Sequence, residues 1–139
     1  AEVGDAMVPG THGSTFGGNP LAMRSANAVL ELLLENDFLS NLRKMIVYFD
    51  KKMDELIKND MQNNPIIFAK KGSGMLRGFQ LNEDVTAGDF SNIAREKSLL
   101  LVGAAENTIR LLPPLNTSKE EVDNAFDILN DIVLELKKT

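Results

Sequence analysis

The sequence contains no cysteine and a single histidine, His12. Without cysteine, disulfides, thiolate metal sites and a cysteine nucleophile are all excluded. The absence fits a reducing compartment, and cytoplasmic location is the expectation. With one histidine and no cysteine beside it, a metal site is not expected either. Long apolar runs are missing too. Val29–Leu34 is short and Glu31 interrupts it, so neither a transmembrane span nor a secretory core is expected. The triplet Asn116-Thr117-Ser118 matches a glycosylation acceptor, but no secretion signal accompanies it. Basic charge is scarce and scattered. Fifteen Lys and Arg stand against twenty Asp and Glu, for a net charge of -5, which argues against nucleic acid or an acidic membrane as partner. What is present is ordinary for a globular chain: 139 residues, 43% hydrophobic and 25% charged, enough for one modest domain with a core.

The order of elements follows from periodicity and punctuation. Residues 1–19 are rich in Gly, Ser and Thr and read as loop. Asn19-Pro20 makes a sharp helix start, with Asn at the cap and Pro at the first helical position. From Leu21 to about Leu34 apolar residues cover more than one side of that helix, as in a helix sandwiched between two bodies. Asn36-Asp37 reads as a break and a new cap. A second helix is predicted from about Phe38 to Lys58, with Leu39, Leu42, Ile46, Phe49, Met53 and Leu56 on its apolar stripe. Asp60–Pro65 reads as a polar loop. Ile66–Ala69 and Met75–Leu81 are predicted as a hairpin around Gly72-Ser73-Gly74. A capping box opens a helix from Thr86 to about Lys97, with Phe90, Ile93 and Ala94 inward. Leu99–Val102 and Thr108–Leu112 are two more short strands. Ser118 and Glu121 form a second capping box, and the last helix turns Val122, Ala125, Phe126, Leu129, Val133 and Leu136 inward. Lys137-Lys138 suit its negative end. Two helices followed by β-β-α-β-β-α predict an α+β fold, a mainly antiparallel sheet with helices on one face.

Three places could carry chemistry. Gly10-Thr11-His12-Gly13-Ser14-Thr15-Phe16-Gly17-Gly18-Asn19-Pro20 packs four glycines and the hydroxyls of Ser14 and Thr15 ahead of a helix N-terminus. Such a loop suits a phosphate, and it equally suits a plain Gly-rich turn. No Lys follows the glycines, so it is not a P-loop. His12 within it reads as a general base or as a hydrogen-bonded structural residue. Arg110, in Thr108-Ile109-Arg110-Leu111-Leu112, is either a bidentate clamp for a carboxylate or a strand residue on the wet face with Ile109 and Leu111 inward. Gly72-Ser73-Gly74 with Gly78 misses the dinucleotide fingerprint and joins two strands. Arg77 reads as an exposed strand residue. Met45 and Met53 read as core filler.

Taken together, these motifs carry a resemblance. Gly10 through Ala22 resembles the signature loop of class III, ornithine-type aminotransferases. Gly72-Ser73-Gly74-Met75-Leu76-Arg77-Gly78 resembles that family's small-domain hairpin. Asn107-Thr108-Ile109-Arg110-Leu111-Leu112-Pro113-Pro114-Leu115 is similar to its C-terminal strand motif, in the form of the acetylornithine-type members. The resemblance implies a homodimeric enzyme using pyridoxal 5'-phosphate to exchange an amino group between N-acetylornithine and 2-oxoglutarate in arginine biosynthesis. It implies that Ser14 and Thr15 reach the cofactor phosphate across the dimer interface and that Arg110 binds a substrate carboxylate. It further implies that residues 1–19 are a cofactor-phosphate and dimer-interface loop from the end of the large domain. Residues 20–35 are then an interdomain helix, and 36–139 the small domain. The family's Schiff-base lysine, the acidic partner of the pyridine nitrogen and the first phosphate loop all precede this region. The chain then corresponds to roughly the final third of such an enzyme, and no catalytic residue lies in it; by itself it is expected to be inactive. Ornithine, succinylornithine or 4-aminobutyrate as donor, or a non-catalytic interaction domain docking through the Leu21–Leu34 helix, are the alternatives.

Overall fold

A computed structural model describes residues 2–11, 13–35, 37–62 and 64–138. The chain divides into two compact units, Ala1–Leu39 and Ser40–Thr139. In the first unit a single helical turn, α1 (Glu2–Asp5), lies in the stretch expected to be loop. The helix α2 (Pro20–Leu33) starts where the sequence placed it. The Asn19 side chain accepts a hydrogen bond from the Ala22 backbone N–H at 2.9 Å, and Pro20 needs no donor at the first position. No residue of α2 is buried. Leu21, Val29, Leu30 and Leu32 are all exposed, which is the apolar surface that the sequence pattern predicted. Asn36, half of the expected break before the next helix, lies outside the described residues.

The elements that follow are α3 (Phe38–Asp60), β1 (Ile67–Ser73), β2 (Leu76–Leu81), α4 (Ala87–Glu96), β3 (Val102–Ala104), β4 (Thr108–Leu111) and α5 (Lys119–Leu136). The four strands form one antiparallel sheet in the order β1-β2-β4-β3. Its inner face meets the helices in a core built from Phe49, Met53 and Leu56 of α3, Phe79 and Leu81 of β2, and Ile109 and Leu111 of β4. Phe90 and Ala94 of α4 and Val122, Phe126, Leu129, Ile132 and Val133 of α5 complete it. Each such large side chain contributes about 1.5–3 kcal/mol when fully buried. Phe126 stands edge-on to two rings, Phe49 at 5.3 Å and Phe79 at 6.5 Å between centroids, the arrangement that aromatic quadrupoles favour. The α+β fold with helices on one face of an antiparallel sheet is thus the observed one. Both caps hold: Thr86 accepts from the Asp89 N–H, and Ser118 and Glu121 form a reciprocal box.

Two element boundaries move for local reasons. The strand expected at Leu99–Val102 forms instead at Val102–Ala104. Ser98 takes φ 65°, and the Leu99 N–H still bonds back to the Ala94 carbonyl of α4. Leu99 and Leu101 therefore pack against the core as partly buried side chains before the ladder begins. In the first hairpin the strand runs through Gly72-Ser73, and Ser73 pairs with Leu76, so the two turn residues are Gly74 and Met75. Gly72 has φ +84°, and a Cβ there would sit 2.2 Å from the Leu76 carbonyl oxygen. Only glycine fits.

Asp60 overturns its sequence reading. It is the last residue of α3 rather than the start of a polar loop, and it is 1% exposed. One carboxylate oxygen accepts the Ile67 N–H at 2.6 Å, and the other pairs with Lys137 Nζ at 2.8 Å. Lys137 also donates to the backbone carbonyls of Asp60 and Gln62. Its ammonium thus serves the C-terminal end of α3, whereas the sequence suggested only the dipole of its own helix. The result is a clasp joining α3, the start of β1 and the end of α5.

A second polar cluster links α3 to α5 at the surface. Tyr48 OH donates to the Asp123 carboxylate, Lys52 pairs with Asp123 at 2.9 Å, and the Lys119 ammonium lies 4.9 Å from the centre of the Tyr48 ring. The Tyr48 hydrogen bond first, and then Lys52, hold the Asp123 carboxyl below its usual value. The Ser118 N–H first, and then the Ser118 and Thr117 hydroxyls, do the same for Glu121.

Two predictions follow from these contacts. Lys137→Met strands a buried carboxylate and should cost about 2–3 kcal/mol, just below the range for breaking a fully buried pair because Lys137 keeps some water. Urea unfolding measures it, and Lys51→Met, on an exposed helix pair, should cost no more than about 0.5 kcal/mol. The acid limb is the second. Asp123 and Glu121 are depressed in the folded state, so their contribution is complete above the usual carboxyl values of 3.8 and 4.5 and is lost as pH falls below them. Stability measured from pH 6 downward should begin to drop near those values. Asp123→Asn, which removes one of the titrating groups, should flatten the slope, and an unchanged slope would exclude Asp123 as a source.

Candidate functional site

The alternation of β4 determines where Arg110 stands. Thr108, Ile109 and Leu111 are buried while Arg110 is exposed. Ile109 and Leu111 enter the core, so the two-residue period of a strand sends Arg110 to the outer, helix-free face of the sheet. Ladder register continues that row across the sheet: Lys71 opposite Gly78, Gly78 opposite Arg110, and Arg110 opposite Val102. Among the described residues nothing hydrogen-bonds to or pairs with the Arg110 guanidinium. A shallow depression on this face is lined by Lys71, Gly72, Leu76, Gly78, Thr108 and Arg110, among others.

The floor of the depression depends on Gly78. A Cβ there would stand 2.7 Å from the Thr108 methyl and 3.1 Å from the Ile109 carbonyl oxygen. Thr108 is itself buried, and its hydroxyl donates to the Glu106 carbonyl at 3.2 Å. The Lys71 ammonium reaches the Glu106 carboxylate in the turn before β4 and holds that carboxyl below its usual value. Glu106 and Asn107 both take positive φ, 57° and 49°. Asn107 tolerates this conformation well. Its side chain donates to the Asn82 and Val85 carbonyls and accepts from the Ala87 N–H, all at 2.8 Å. This residue ties the start of β4 to the start of α4, and sequence reading noted it only as part of a motif. An Asn just ahead of an apolar strand was the available signal.

Arg77 corrects its sequence reading. It is not an exposed strand residue, because its side chain is only 11% exposed. Arg77 shares the inner row with Gly72 and Leu111. Its guanidinium pairs with Asp50 of α3 and donates to the Gly72 and Gly74 carbonyls at 2.8 and 3.1 Å. Lys70 also reaches Asp50, at 3.1 Å, and Asp54 at 2.5 Å. Asp50 thus pins the first hairpin to α3 through two cations. Met53 is fully buried and Met45 packs partly buried against the core, as expected of core filler.

The Gly-rich loop belongs to the first unit. Its turn is closed by the Gly17 N–H to the Ser14 carbonyl at 3.2 Å, and the Asn19 amide donates to the Phe16 carbonyl at 2.6 Å. With Asn19 capping α2 from within and Pro20 lacking an N–H, the helix end offers few free donors outward. The Ser14 and Thr15 hydroxyls are exposed, and neither has a hydrogen-bond partner among the described residues. His12, the lone histidine, lies outside the described residues. Among the described residues no group of His, Cys, Asp or Glu is arranged to hold a metal ion, and no helix is long and apolar enough to cross a membrane.

Comparison with known proteins gives a consistent result. A family model described as aminotransferase class-III matches residues 1–133. The chain is 37% identical over 125 residues to acetylornithine aminotransferase 1 of Bradyrhizobium diazoefficiens, covering 90% of this chain and 30% of that protein. It is 39% identical over 132 residues to the ornithine aminotransferase of Staphylococcus carnosus, covering 95% and 31%. Among solved structures, the ornithine delta-aminotransferase of Plasmodium falciparum superposes with TM-score 0.82 at 28% identity, over 99% of this chain and 34% of that one. The acetylornithine aminotransferase of Elizabethkingia anophelis superposes with TM-score 0.77 at 30% identity, over 96% and 34%. The chain spans about a third of the length of the relatives it matches.

The tight packing over Gly78 is directly testable. Gly78→Ala should destabilise the fold by about 1–3 kcal/mol, the usual cost of overpacking. Gly78→Ala combined with Thr108→Ser, which removes the clashing methyl, should recover part of that loss. Additive costs in the double variant would show that Thr108 is not the obstacle.

Proposed function

The chain belongs to the class-III aminotransferase family, and from that membership we propose that it is the C-terminal part of a pyridoxal-phosphate-dependent enzyme that exchanges an amino group between N-acetylornithine and 2-oxoglutarate. The observation that carries this reading to the level of residues is Arg110. It is a permanently charged group, fixed on a strand, facing away from the core, with no internal partner among the described residues. Guanidinium holds a carboxylate with two parallel hydrogen bonds, and both amino-acid and oxo-acid substrates present one. Ornithine as the donor is the second reading, favoured by the similarly high identity of the Staphylococcus carnosus enzyme.

Pyridoxal phosphate, when bound, supplies the electron sink that lets the amino group leave one carbon skeleton and join another. This segment supports that chemistry from two sides. The Ser14 and Thr15 hydroxyls would hold the cofactor phosphate across the interface of a homodimer; their exposure and lack of partners among the described residues fit that task. Arg110 orients the substrate through its carboxylate and so fixes which face of the reacting carbon is presented. The lysine that carries the cofactor belongs to the remaining two thirds of the protein, and this segment alone is inactive. Arginine biosynthesis in the cytoplasm is the setting that the acetylornithine reading assigns. Residues 1–19 then form the phosphate and interface loop, 20–35 the interdomain helix and 36–139 the small domain.

Arg110→Lys in the full-length enzyme is the test. It keeps the charge and loses the fork, so kcat/KM should fall by about 2–5 kcal/mol in apparent transition-state binding, in both half-reactions. Cofactor affinity should stay near that of the parent. Thr15→Val should show the reverse order, weakening cofactor retention first. The two half-reaction rates and the cofactor dissociation constant of each variant settle the matter. If Arg110→Lys leaves both rates near the parent values, Arg110 is only a residue on the wet face of a strand.

A further inference from the structure

Four hydrogen bonds hold Asn107 just ahead of the strand that carries Arg110. Its side-chain oxygen accepts the Ala87 N–H, and its amide donates to the carbonyls of Asn82 and Val85, each at 2.8 Å. Its backbone carbonyl accepts the Leu81 N–H at 2.9 Å. All of these partners lie between the end of β2 and the first residue of α4. The two carbonyls belong to the turn that joins those elements, and the Ala87 N–H is one of the free donors of a helix start. Asn107 also takes φ 49°, which asparagine tolerates better than most residues. β4 is only four residues long. Beyond it stand Pro113 and Pro114, which have no N–H to extend the ladder. Apart from the ladder itself, the fixed point of the strand is its Asn107 end, three residues from Arg110. We propose that Asn107 is a positioning residue: its side-chain amide fixes the start of β4 against the turn and α4, and so fixes the aim of the Arg110 guanidinium at a substrate carboxylate.

The proposal rests on the reading of Arg110 given above. Alternation decides which face Arg110 takes, but a face is a coarse setting. Guanidinium grips a carboxylate with two parallel bonds only when their planes align. Groups of this kind work when held within about 0.5 Å and 10–20°. Arg110 has no side-chain partner among the described residues, so its backbone has to supply that precision. Asn107 is suited to the task because a short side chain bonded to two other segments has little room to move. Without the amide, the positive-φ turn at Glu106-Asn107 is free to shift, and the residues up to Arg110 shift with it.

Pairs of variants in the full-length enzyme separate aiming from simple support. Asn107→Gly keeps the positive φ and removes the three side-chain bonds. It should lower kcat/KM in both half-reactions about tenfold, short of the roughly hundredfold that a 1 Å misplacement can cost. In an Arg110→Lys background the same change should cost less than about twofold, because a fork that is absent cannot be misaimed. The melting temperature should fall equally in both backgrounds. Ala87→Pro removes the same anchor from the other side. Proline suits the first helical position after the extended Thr86, so the helix stays while the N–H that Asn107 accepts is lost. It should show the same dependence on Arg110 at smaller size, and it decides the matter if Asn107→Gly gives no folded enzyme. Equal losses of kcat/KM with and without Arg110, or no loss from either variant, overturn the proposal and leave Arg110 its role. If Arg110→Lys alone leaves kcat/KM unaltered, the reading of Arg110 fails and the proposal falls with it.

Discussion

The two-residue period of β4 governs both the stability of this fold and its chemistry. Ile109 is completely buried and Leu111 nearly so, and a one-residue slip would drive both into water and Arg110 into the core. Exposing two large aliphatic side chains forfeits about 1.5–3 kcal/mol each, and an unpaired guanidinium in the core costs several more. No alternative register competes with that sum. The face on which Arg110 stands is thus set by its apolar neighbours. The Gly78 row then follows, because the ladder carries the same outward face from β4 to β2 and β1.

Asp60 and Asp50 brace this sheet in different ways. Asp60 is buried and works through one backbone donor and one ammonium, so its contribution lies mostly in what would be lost if a partner left. Asp50 sits closer to water and holds two cations of the first hairpin. It matters for geometry more than for energy, since pairs of that exposure are individually weak. Arg77 adds two bonds to hairpin carbonyls, so one guanidinium ties the hairpin turn to α3. β2 is the strand of that hairpin that pairs with β4, so the same bracing extends to the strand that carries Arg110.

Much of this was legible in the residues. Local signals worked where the local chemistry decides: Asn19-Pro20, Thr86 with Asp89, and Ser118 with Glu121 all mark helix starts that the structure contains. The order β-β-α-β-β-α and most core residues followed from period alone. The failures share one cause. Asp60, Lys137 and Arg77 are polar, and composition assigns polar residues to the surface, yet each is drawn inward by a partner far away in sequence. Lys137 meets Asp60 across 77 residues and Arg77 meets Asp50 across 27. No window of local pattern contains such a pair. Leu99–Leu101 misled for the opposite reason, since apolar side chains can pack on a core without joining a ladder. At the candidate site the motifs selected Ser14, Thr15 and Arg110, but the row joining Arg110 to Lys71 needed the register, which alternation within one strand does not contain.

The near-equal identity to an acetylornithine and an ornithine aminotransferase, 37% and 39%, has a physical explanation on the proposed reading. Acetylation caps the α-amino group and leaves both the α-carboxylate and the distal amine free. Arg110 grips the part that the two donors share, and Ser14 and Thr15 grip a cofactor phosphate that does not vary. On that reading Arg110 meets the one group that both donors and the oxo-acid partner present, a carboxylate.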